Sequence, residues 1–349
     1  MSGKVLKAAI AGLGRIAWST HLPRMKNHPN IEIVAVCDPL ESVRDEAAAT
    51  FNVPGKFADI AEMLEKAHPD LLVVATPTCF HAQHAIMALE AGCHVFCDKP
   101  AAMSNAEYRT MLDAARKNNR VLEIYQPRRF NSDLATMKHI IANNIIGEIF
   151  QIKVFAGNYV CRNDWQAFKR NGGGMLFNYG SHYVDQFIHL LGRDYKLRGC
   201  SARRILSLGD ADDVVKILLD FNGVEVDIDI NQAAAYHPYL YVLYGKTGSA
   251  VLKANADGVP EWHLRYYDPA KAPDVELQTT LAAKNRQYPK QAYEFVEEKL
   301  PAVIPAPPAE CYYNNLYNAI TAGEELINPP EDTMTLTSLL DEAEIMADK

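Results

Sequence analysis

The strongest constraint on the fold lies at the start of the chain, where the apolar run Val5-Leu6-Lys7-Ala8-Ala9-Ile10-Ala11 passes directly into Gly12-Leu13-Gly14-Arg15-Ile16-Ala17. A buried strand that meets a G-x-G-x-x-A turn and then a helix opens a dinucleotide-type α/β unit. The first glycine permits the tight turn, the second lets the backbone approach a pyrophosphate, and Ala17 lets the helix pack close to the strand. The helix N-terminus then faces the phosphate charge. Glycine-rich turns also close ordinary strand–helix connections, so the surroundings matter. Strand-like segments recur near 4–11, 31–37, 70–76, 93–97 and 121–125, with helical patterns between them. This alternation implies a doubly wound parallel sheet. Asp70-Leu71-Leu72-Val73-Val74-Ala75 has the continuous apolar character of a strand covered on both faces. Ser104 and Glu107 have the capping-box spacing that starts a helix.

Ligands of such sheets bind along the carboxyl ends of the strands. The second strand, Ile31 to Cys37, ends in Asp38, where a carboxylate accepts hydrogen bonds from the adenosine ribose. A 2′-phosphate there would be repelled, so Asp38 favours NAD over NADP, although Arg44 is near enough in sequence to swing in. The other reading of Asp38 is a turn residue followed by Pro39. Thr76-Pro77-Thr78 ends one strand at this edge. Cys93-His94-Val95-Phe96-Cys97 leads to Asp98-Lys99-Pro100, which puts a lysine within reach of both a nicotinamide and a substrate oxygen. A following proline fixes the backbone and favours a rigid or cis peptide.

At 349 residues the chain is long enough for about two domains. No run approaches the roughly 18 apolar residues of a membrane span, and Met1-Ser2-Gly3-Lys4 leads into a strand rather than a signal peptide, so a cytoplasmic location is expected. Net charge −8, without a basic stripe interleaved with aromatics, argues against nucleic acid as a partner. Seven scattered cysteines without C-x-x-C spacing read as reduced thiols rather than as a disulfide framework or zinc site. His81 and His84 have a spacing that could share a metal, but no carboxylate or thiolate accompanies them, so capping or packing is the better expectation and no metal is expected. After Tyr125 the pattern changes to a helix near 131–143, a strand at 149–157, a helix near 181–191, and alternating segments at 214–221 and 224–230 that read as antiparallel strands. Residues 302–308, amid four prolines between 301 and 308, read as an extended connector, and a last helix is expected over 335–346.

Gly12-Leu13-Gly14-Arg15-Ile16-Ala17, then Ala75-Thr76-Pro77-Thr78 with His81, then Ala91-Gly92-Cys93-His94-Val95 leading to Asp98-Lys99-Pro100, together resemble the Gfo/Idh/MocA oxidoreductase family. Gly172-Gly173-Gly174 through Gly180, His182 and Asp185 resembles that family's second signature. The resemblance implies a Rossmann domain, placed at 1–125, and a C-terminal α/β domain at 126–332 with a large, mostly antiparallel open sheet. That sheet would form homodimer or homotetramer contacts, and the helix near 335–346 would return to the first domain. The implied cofactor is NAD, held by Gly12, Gly14, Arg15, Ile16, Asp38, Thr76, Pro77, His81, Asp98 and Lys99. The implied substrate is a sugar, cyclitol or derivative.

Moving a hydride from a secondary alcohol to a nicotinamide requires a base near neutral pKa and a cation beside the developing alkoxide. His182 and Lys99 are the expected pair. Helical spacing from Gly180 places His182, Asp185 and Gln186 along one face, toward the expected nicotinamide pocket. Alternatively, His182 caps or packs, Asp185 is solvated, or His182-x-x-Asp185 begins a metal site that lacks a third ligand. One departure from the family pattern is Asn178, where an aspartate commonly stands. An amide can orient Lys99 or His182 but cannot relay a proton, so the expected proton path avoids residue 178. Asp98 replaces the usual glutamate and shortens the reach.

Tyr125, Gln126, Arg128, Asn158, Arg162, Trp165 and Tyr179 are the polar groups suited to sugar hydroxyls, with Asn178 and Asp185 beside them. Arg162, Lys169 and Arg170 could meet an acidic sugar, or Lys169 and Arg170 could simply solvate a loop. Tyr236-His237-Pro238-Tyr239 fits interface packing equally well. The leading function is an NAD-dependent dehydrogenase. A glycosidase that retains its NAD and a non-enzymatic dinucleotide-binding regulator are the alternatives.

Overall fold

The computed structural model describes residues 4–254, 258–277, 279, 292–300 and 308–347. Six strands, β1 (Leu6–Ala11), β2 (Ile31–Cys37), β3 (Gly55–Phe57), β4 (Leu71–Val74), β5 (His94–Cys97) and β6 (Leu122–Ile124), form a parallel sheet in the order β3-β2-β1-β4-β5-β6. This is the doubly wound order whose direction reverses between β1 and β4. Helices α1 (Leu22–Asn27), α2 (Glu41–Phe51), α3 (Ile60–Ala67), α4 (His81–Glu90) and α5 (Asn105–Lys117) alternate with the strands. The apolar run of β4 shows why both faces are covered: Leu72 and Val74 enter one core, while Leu71 and Val73 enter another. The Ser104 side chain caps α5 by accepting from the Glu107 backbone N–H, and a Glu107 carboxylate oxygen accepts from Met103 N–H.

Beyond α6 (Ser132–Ala142) and β7 (Ile149–Gly157), the short helix α7 (Met175–Asn178) runs into α8 (Gly180–Leu191). Seven further strands follow: β8 (Tyr195–Arg203), β9 (Val214–Phe221), β10 (Val224–Asn231), β11 (Tyr241–Gly245), β12 (Gly248–Ala254), β13 (Pro260–Tyr266) and β14 (Val296–Leu300). They join β7 in an eight-stranded sheet, β14-β13-β12-β11-β7-β10-β9-β8. All its neighbours are antiparallel except β7 and β10, which run parallel from Gln151 opposite Glu225 to Gly157 opposite Asn231. One face carries Ile152, Val154, Ile217, Leu219, Val226 and Ile228 into a core shared with Val184 and Phe187 of α8. The other face carries Lys153, Lys216, Asp227 and Asp229.

The last two helices depart from the sequence expectation. Helix α9 (Pro308–Ala322) was expected within the second unit at 126–332, yet its Tyr312, Tyr313 and Leu316 fill the core of the parallel sheet. Helix α10 (Pro330–Ala347) begins earlier than expected and packs mainly on the second core through Leu336, Leu339, Leu340 and Ala343. It still touches the first unit, where Asp341 accepts from Asn105 N–H at 3.0 Å. The connector expected at 302–308 lies outside the described residues up to 307, and Pro308 already begins α9. β3 has no counterpart among the strand-like segments of the sequence, because three residues are too few to show a period.

Candidate active site

The carboxyl edge of the parallel sheet opens into a chamber of about 1080 Å³ that extends from the glycine turn to the N-terminal part of α8. At one end lie Gly12, Gly14, Arg15, Ile16 and Asp38; at the other lie Lys99, Asn178 and His182. Gly12 has φ +85°, and a β-carbon there would lie 2.6 Å from the Ala75 carbonyl oxygen, so no other residue fits the turn. A β-carbon on Gly14 would meet nothing within 4 Å. Its backbone is open to a ligand.

Asp38 ties β2 to this turn: its Oδ2 accepts from Leu13 N–H and its Oδ1 from Leu40 N–H, both at 3.0 Å. Arg44 donates to the Asp38 and Pro39 carbonyls at 2.6 and 3.0 Å. Thr76 and Pro77 line the chamber as well. The ring nitrogens of buried His81 each lie 2.8 Å from a carbonyl oxygen, of Thr76 and of Pro100, so this histidine clamps the ends of β4 and β5 together. His84 Nδ1 is 3.1 Å from the Thr76 hydroxyl. The pair packs, and among the described residues no group of His, Cys, Asp or Glu side chains is arranged to hold a metal.

Lys99 leaves β5 through a cis Lys99–Pro100 peptide and reaches across to α7. Its Nζ donates to Asn178 Oδ1 at 2.7 Å and to the Asn178 carbonyl at 3.0 Å. The Asn178 amide nitrogen in turn donates to Gln166 Oε1 at 3.2 Å, which fixes which end of the amide faces the lysine. Burial lowers the Lys99 pKa to about 8, with Arg128, Arg15 and Arg162 adding to the effect and Asp98 opposing it. Burial likewise raises the carboxyl of Asp98, which Lys99 and His81 pull back. His182 is driven well below its ordinary value, first by burial and then by Lys99 and Arg128, and its Nδ1 is buried without a partner. Burial thus holds the His182 ring neutral, and of the expected pair it is Lys99 whose value is drawn down toward neutrality.

Arg128, Asn158, Arg162, Trp165, Tyr179 and Gln232 complete the walls. Three expected substrate residues, Tyr125, Gln126 and Asp185, do not reach them. Tyr125 is 2% exposed, accepts from Arg24 at 3.0 Å and packs edge-on against His21, Phe96 and Tyr312. Gln126 is likewise buried away from the chamber. Asp185 is fully buried, with Arg129 donating to it through Nη2 at 2.6 Å and Nε at 2.9 Å. Residues 182 and 185 are three apart on α8, yet the helix has hardly any solvent side, so the shared face leads from the chamber into the protein interior. Three residues carry no signal of their own among the sequence motifs: Gln166, which accepts from Asn178; Gln232, just past β10; and Arg129, beside the more conspicuous Arg128. An isolated glutamine carries no spacing signal, whereas the Arg128-Arg129 doublet was visible.

A family model described as the oxidoreductase family, NAD-binding Rossmann fold, matches residues 6–126, and one described as the GFO/IDH/MocA C-terminal domain matches residues 134–251. The D-glucoside 3-dehydrogenase of Escherichia coli K12 is 34% identical over 195 residues, covering 55% of this chain and 56% of its own. The alignment thus spans little more than half of that relative. The inositol 2-dehydrogenase of Salmonella typhimurium is 27% identical over 292 residues, covering 78% of this chain and 84% of its own. Among solved structures, an NAD-binding protein from Listeria innocua superposes with a TM-score of 0.83 at 24% identity, covering 99% of this chain and 95% of that one.

Proposed function

The chain belongs to the Gfo/Idh/MocA oxidoreductase family, and we propose that it is an NAD-dependent dehydrogenase that oxidises a secondary hydroxyl of a sugar, cyclitol or derivative. The observation that carries this reading is Lys99, a buried lysine with a pKa lowered to about 8, in the same chamber as a glycine turn open to a ligand. The chamber fits a dinucleotide, since the backbone beside Gly14 is unobstructed and Asp38 stands at the end of β2. Gly12, Gly14, Arg15 and Ile16 would hold the pyrophosphate, Asp38 the adenosine ribose, and Thr76, Pro77 and Asp98 the nicotinamide half. Asp38 favours NAD, because its carboxylate would repel a 2′-phosphate while Arg44 is engaged with two carbonyls.

When bound, the nicotinamide supplies the hydride acceptor. The protein must remove the hydroxyl proton and stabilise the oxygen left behind. Lys99 in its neutral form accepts the proton, and the resulting ammonium faces the developing carbonyl oxygen. His182 stays neutral and orients the hydroxyl through one ring nitrogen. Asn178 holds the lysine by its side-chain and backbone oxygens but takes no proton, so the proton leaves along Lys99 itself. Arg162, Trp165 and Asn158 supply further contacts to the polyol.

Incubation of the purified chain with NAD or NADP and a panel of sugars and cyclitols, followed at the nicotinamide absorbance, tests the proposal. Reduction of NAD, with oxidation rising as pH passes through about 8 and collapsing in Lys99→Met, is the expected result. Glycoside cleavage without net change in nicotinamide would instead assign an NAD-retaining glycosidase. Unchanged biological function in Lys99→Ala would assign a regulator.

A further inference from the structure

Beside the reaction chamber lies a second cavity of about 240 Å³ that shares four of its walls, Arg128, Asn158, Tyr179 and Gln232. It runs away from Lys99 toward the start of α6 and the strands β7 and β11, and neither half of the proposed chemistry uses it. Its surface combines aromatic rings, of Phe155, Tyr183 and Tyr241, with a few polar groups that are already oriented. The Arg128 guanidinium lies 4.4 Å over the Tyr183 ring, which holds it in place. Asp133 is fixed by accepting from Leu134 N–H at 2.6 Å and from Gln186 Nε2 at 3.3 Å.

Two observations indicate what such a cavity takes. First, its charges offset one another, since Arg128 draws down the Asp133 carboxyl that burial raises. Neither a strong anion nor a cation is favoured, and an apolar group would take both charged side chains further out of water without adding a hydrogen bond to either. Second, Gln232 is only 4% exposed, lines both cavities, and leaves its Oε1 without a hydrogen-bond donor. A buried carbonyl oxygen left unpaired keeps its full desolvation cost, so a ligand donor there is strongly rewarded. A neutral ring that carries hydroxyl donors and acceptors and has apolar C–H faces for aromatic walls satisfies all of these groups together.

We infer that this cavity is a subsite for a second sugar ring, so that the substrate is a glycoside of two rings with its reacting hydroxyl at Lys99 and its other ring against Arg128, Asp133 and Gln232. The inference rests on the dehydrogenase proposal for the location of the reacting ring, but binding of the second ring can be read separately. The bridging position of Gln232 places it at the glycosidic linkage, where its oxygen accepts from a hydroxyl of either ring. Specificity then comes from the second ring: a single-ring polyol fills the reaction chamber and leaves the Gln232 oxygen unpaired.

The test compares α- and β-linked disaccharides of glucose and galactose with the free monosaccharides and myo-inositol. Nicotinamide reduction is measured first, then calorimetric binding to the protein loaded with reduced cofactor. At least a tenfold higher kcat/KM and tenfold tighter binding for one of the disaccharides is the expected result. Ala156→Leu, which fills the cavity from β7, should lower the disaccharide-to-monosaccharide ratio at least tenfold, and Gln232→Leu should do the same; thermal melting verifies that both fold. Single-ring substrates equal to or better than every disaccharide, with a ratio unmoved in both variants, would overturn the inference. Disaccharide binding that is sensitive to Ala156→Leu, without any nicotinamide reduction, would support the subsite and overturn the dehydrogenase proposal instead.

Discussion

The two sheets solve the same problem, presenting a site at an edge, by opposite means. The strands of the parallel sheet all run the same way, so every strand ends at the same edge and its turns converge there: Gly12 after β1, Asp38 after β2, Thr76 after β4 and Lys99 after β5. The mostly antiparallel sheet spends one face on its core and leaves the other carrying charged side chains. Its contribution to the site comes mainly from a loop and two helices laid across it, Arg162 through His182, with Gln232 at the end of β10. A parallel sheet therefore fixes its end of the chamber through topology, whereas the second sheet serves as a platform on which the proposed substrate end is built from separately anchored pieces. Changes in the first region should act through backbone fit, and changes in the second through side-chain anchoring.

The largest expected effect falls on the anchor between the two regions. Arg129 binds Asp185 of α8, lies 3.0 Å from Asp332 of α10, and donates to the Ile327 carbonyl at 2.9 Å. Arg193 closes the group by donating to Asp332 at 2.6 Å. Arg129→Met leaves two buried carboxylates short of their partner and is expected to destabilise the protein by about 3–5 kcal/mol, read from urea unfolding. Replacing Asp185 by Leu in the same chain should recover part of that loss, because an unpaired charge costs more than an absent pair. A loss below about 1 kcal/mol in the single variant would mean that apolar packing, rather than this ion-pair group, holds α8 and α10 in place.

Next comes backbone fit in the first region. Gly12→Ala places a β-carbon against the Ala75 carbonyl and requires an alanine at φ +85°, an arrangement that costs about 1–2 kcal/mol before the clash is counted. NAD affinity is expected to fall at least a hundredfold, measured by fluorescence titration. Gly172, at φ +79°, would put a β-carbon 2.5 Å from the Thr78 side chain. Gly172→Ala should shift the glycine loop, raise KM for the polyol and leave NAD affinity within a few fold. Equal losses of NAD affinity in both variants would erase the distinction between the regions.

This contrast also explains what could be read from the sequence. Backbone-dictated positions leave a pattern: the G-x-G-x-x-A turn, the apolar run of β4 and the strand-end Asp98-Lys99-Pro100 all stand where expected. The strands at 149–157 and 214–221 were equally visible, because one-sided burial forces alternation. Anchoring contacts left no such trace. Asp185 looked like a site residue because helical spacing relates it to His182, but spacing does not say whether a helix face meets solvent or the interior. Tyr125 follows β6 at the correct edge, yet the returning helix α9 covers it with Tyr312, a contact between residues 187 positions apart in the chain. The partner of Lys99 was legible only as a departure from pattern at Asn178.

That departure gives a third, smaller effect. Asn178→Asp places a carboxylate within 2.7 Å of the Lys99 ammonium, where the native oxygen is uncharged. A facing negative charge favours the protonated lysine and raises its pKa above the present value of about 8. If neutral Lys99 takes the proton, as proposed, the rise of oxidation rate with pH should move to higher pH by about one unit, equivalent to about 1.4 kcal/mol. At pH 7 the variant should therefore oxidise its substrate roughly tenfold more slowly, while the reverse reaction, which needs the proton on Lys99, is spared. An unchanged profile would remove Lys99 from the proton path and return that role to His182.

The smallest effect is expected on the open face of the second sheet. Lys216 of β9 lies 2.7 Å from Asp227 and 3.7 Å from Asp229, and Lys153 reaches Asp227 from the other side at 4.0 Å. These pairs cross strands on the face turned away from the core, where the half-exposed Lys216 head is screened by solvent and an ion pair contributes about 0–1 kcal/mol. Lys216→Ala should change the unfolding free energy by less than about 1 kcal/mol, with the difference shrinking further in high salt. The family resemblance carries the expectation that this sheet joins copies of the chain in a homodimer or homotetramer, and the same variant addresses it through sedimentation. If the face is covered by a second copy, the Lys216 row is desolvated and its loss leaves Asp227 and Asp229 repelling one another inside the contact. The variant would then shift toward monomer as protein concentration falls. A small stability change with unaltered mass would place any oligomer contact elsewhere on the molecule.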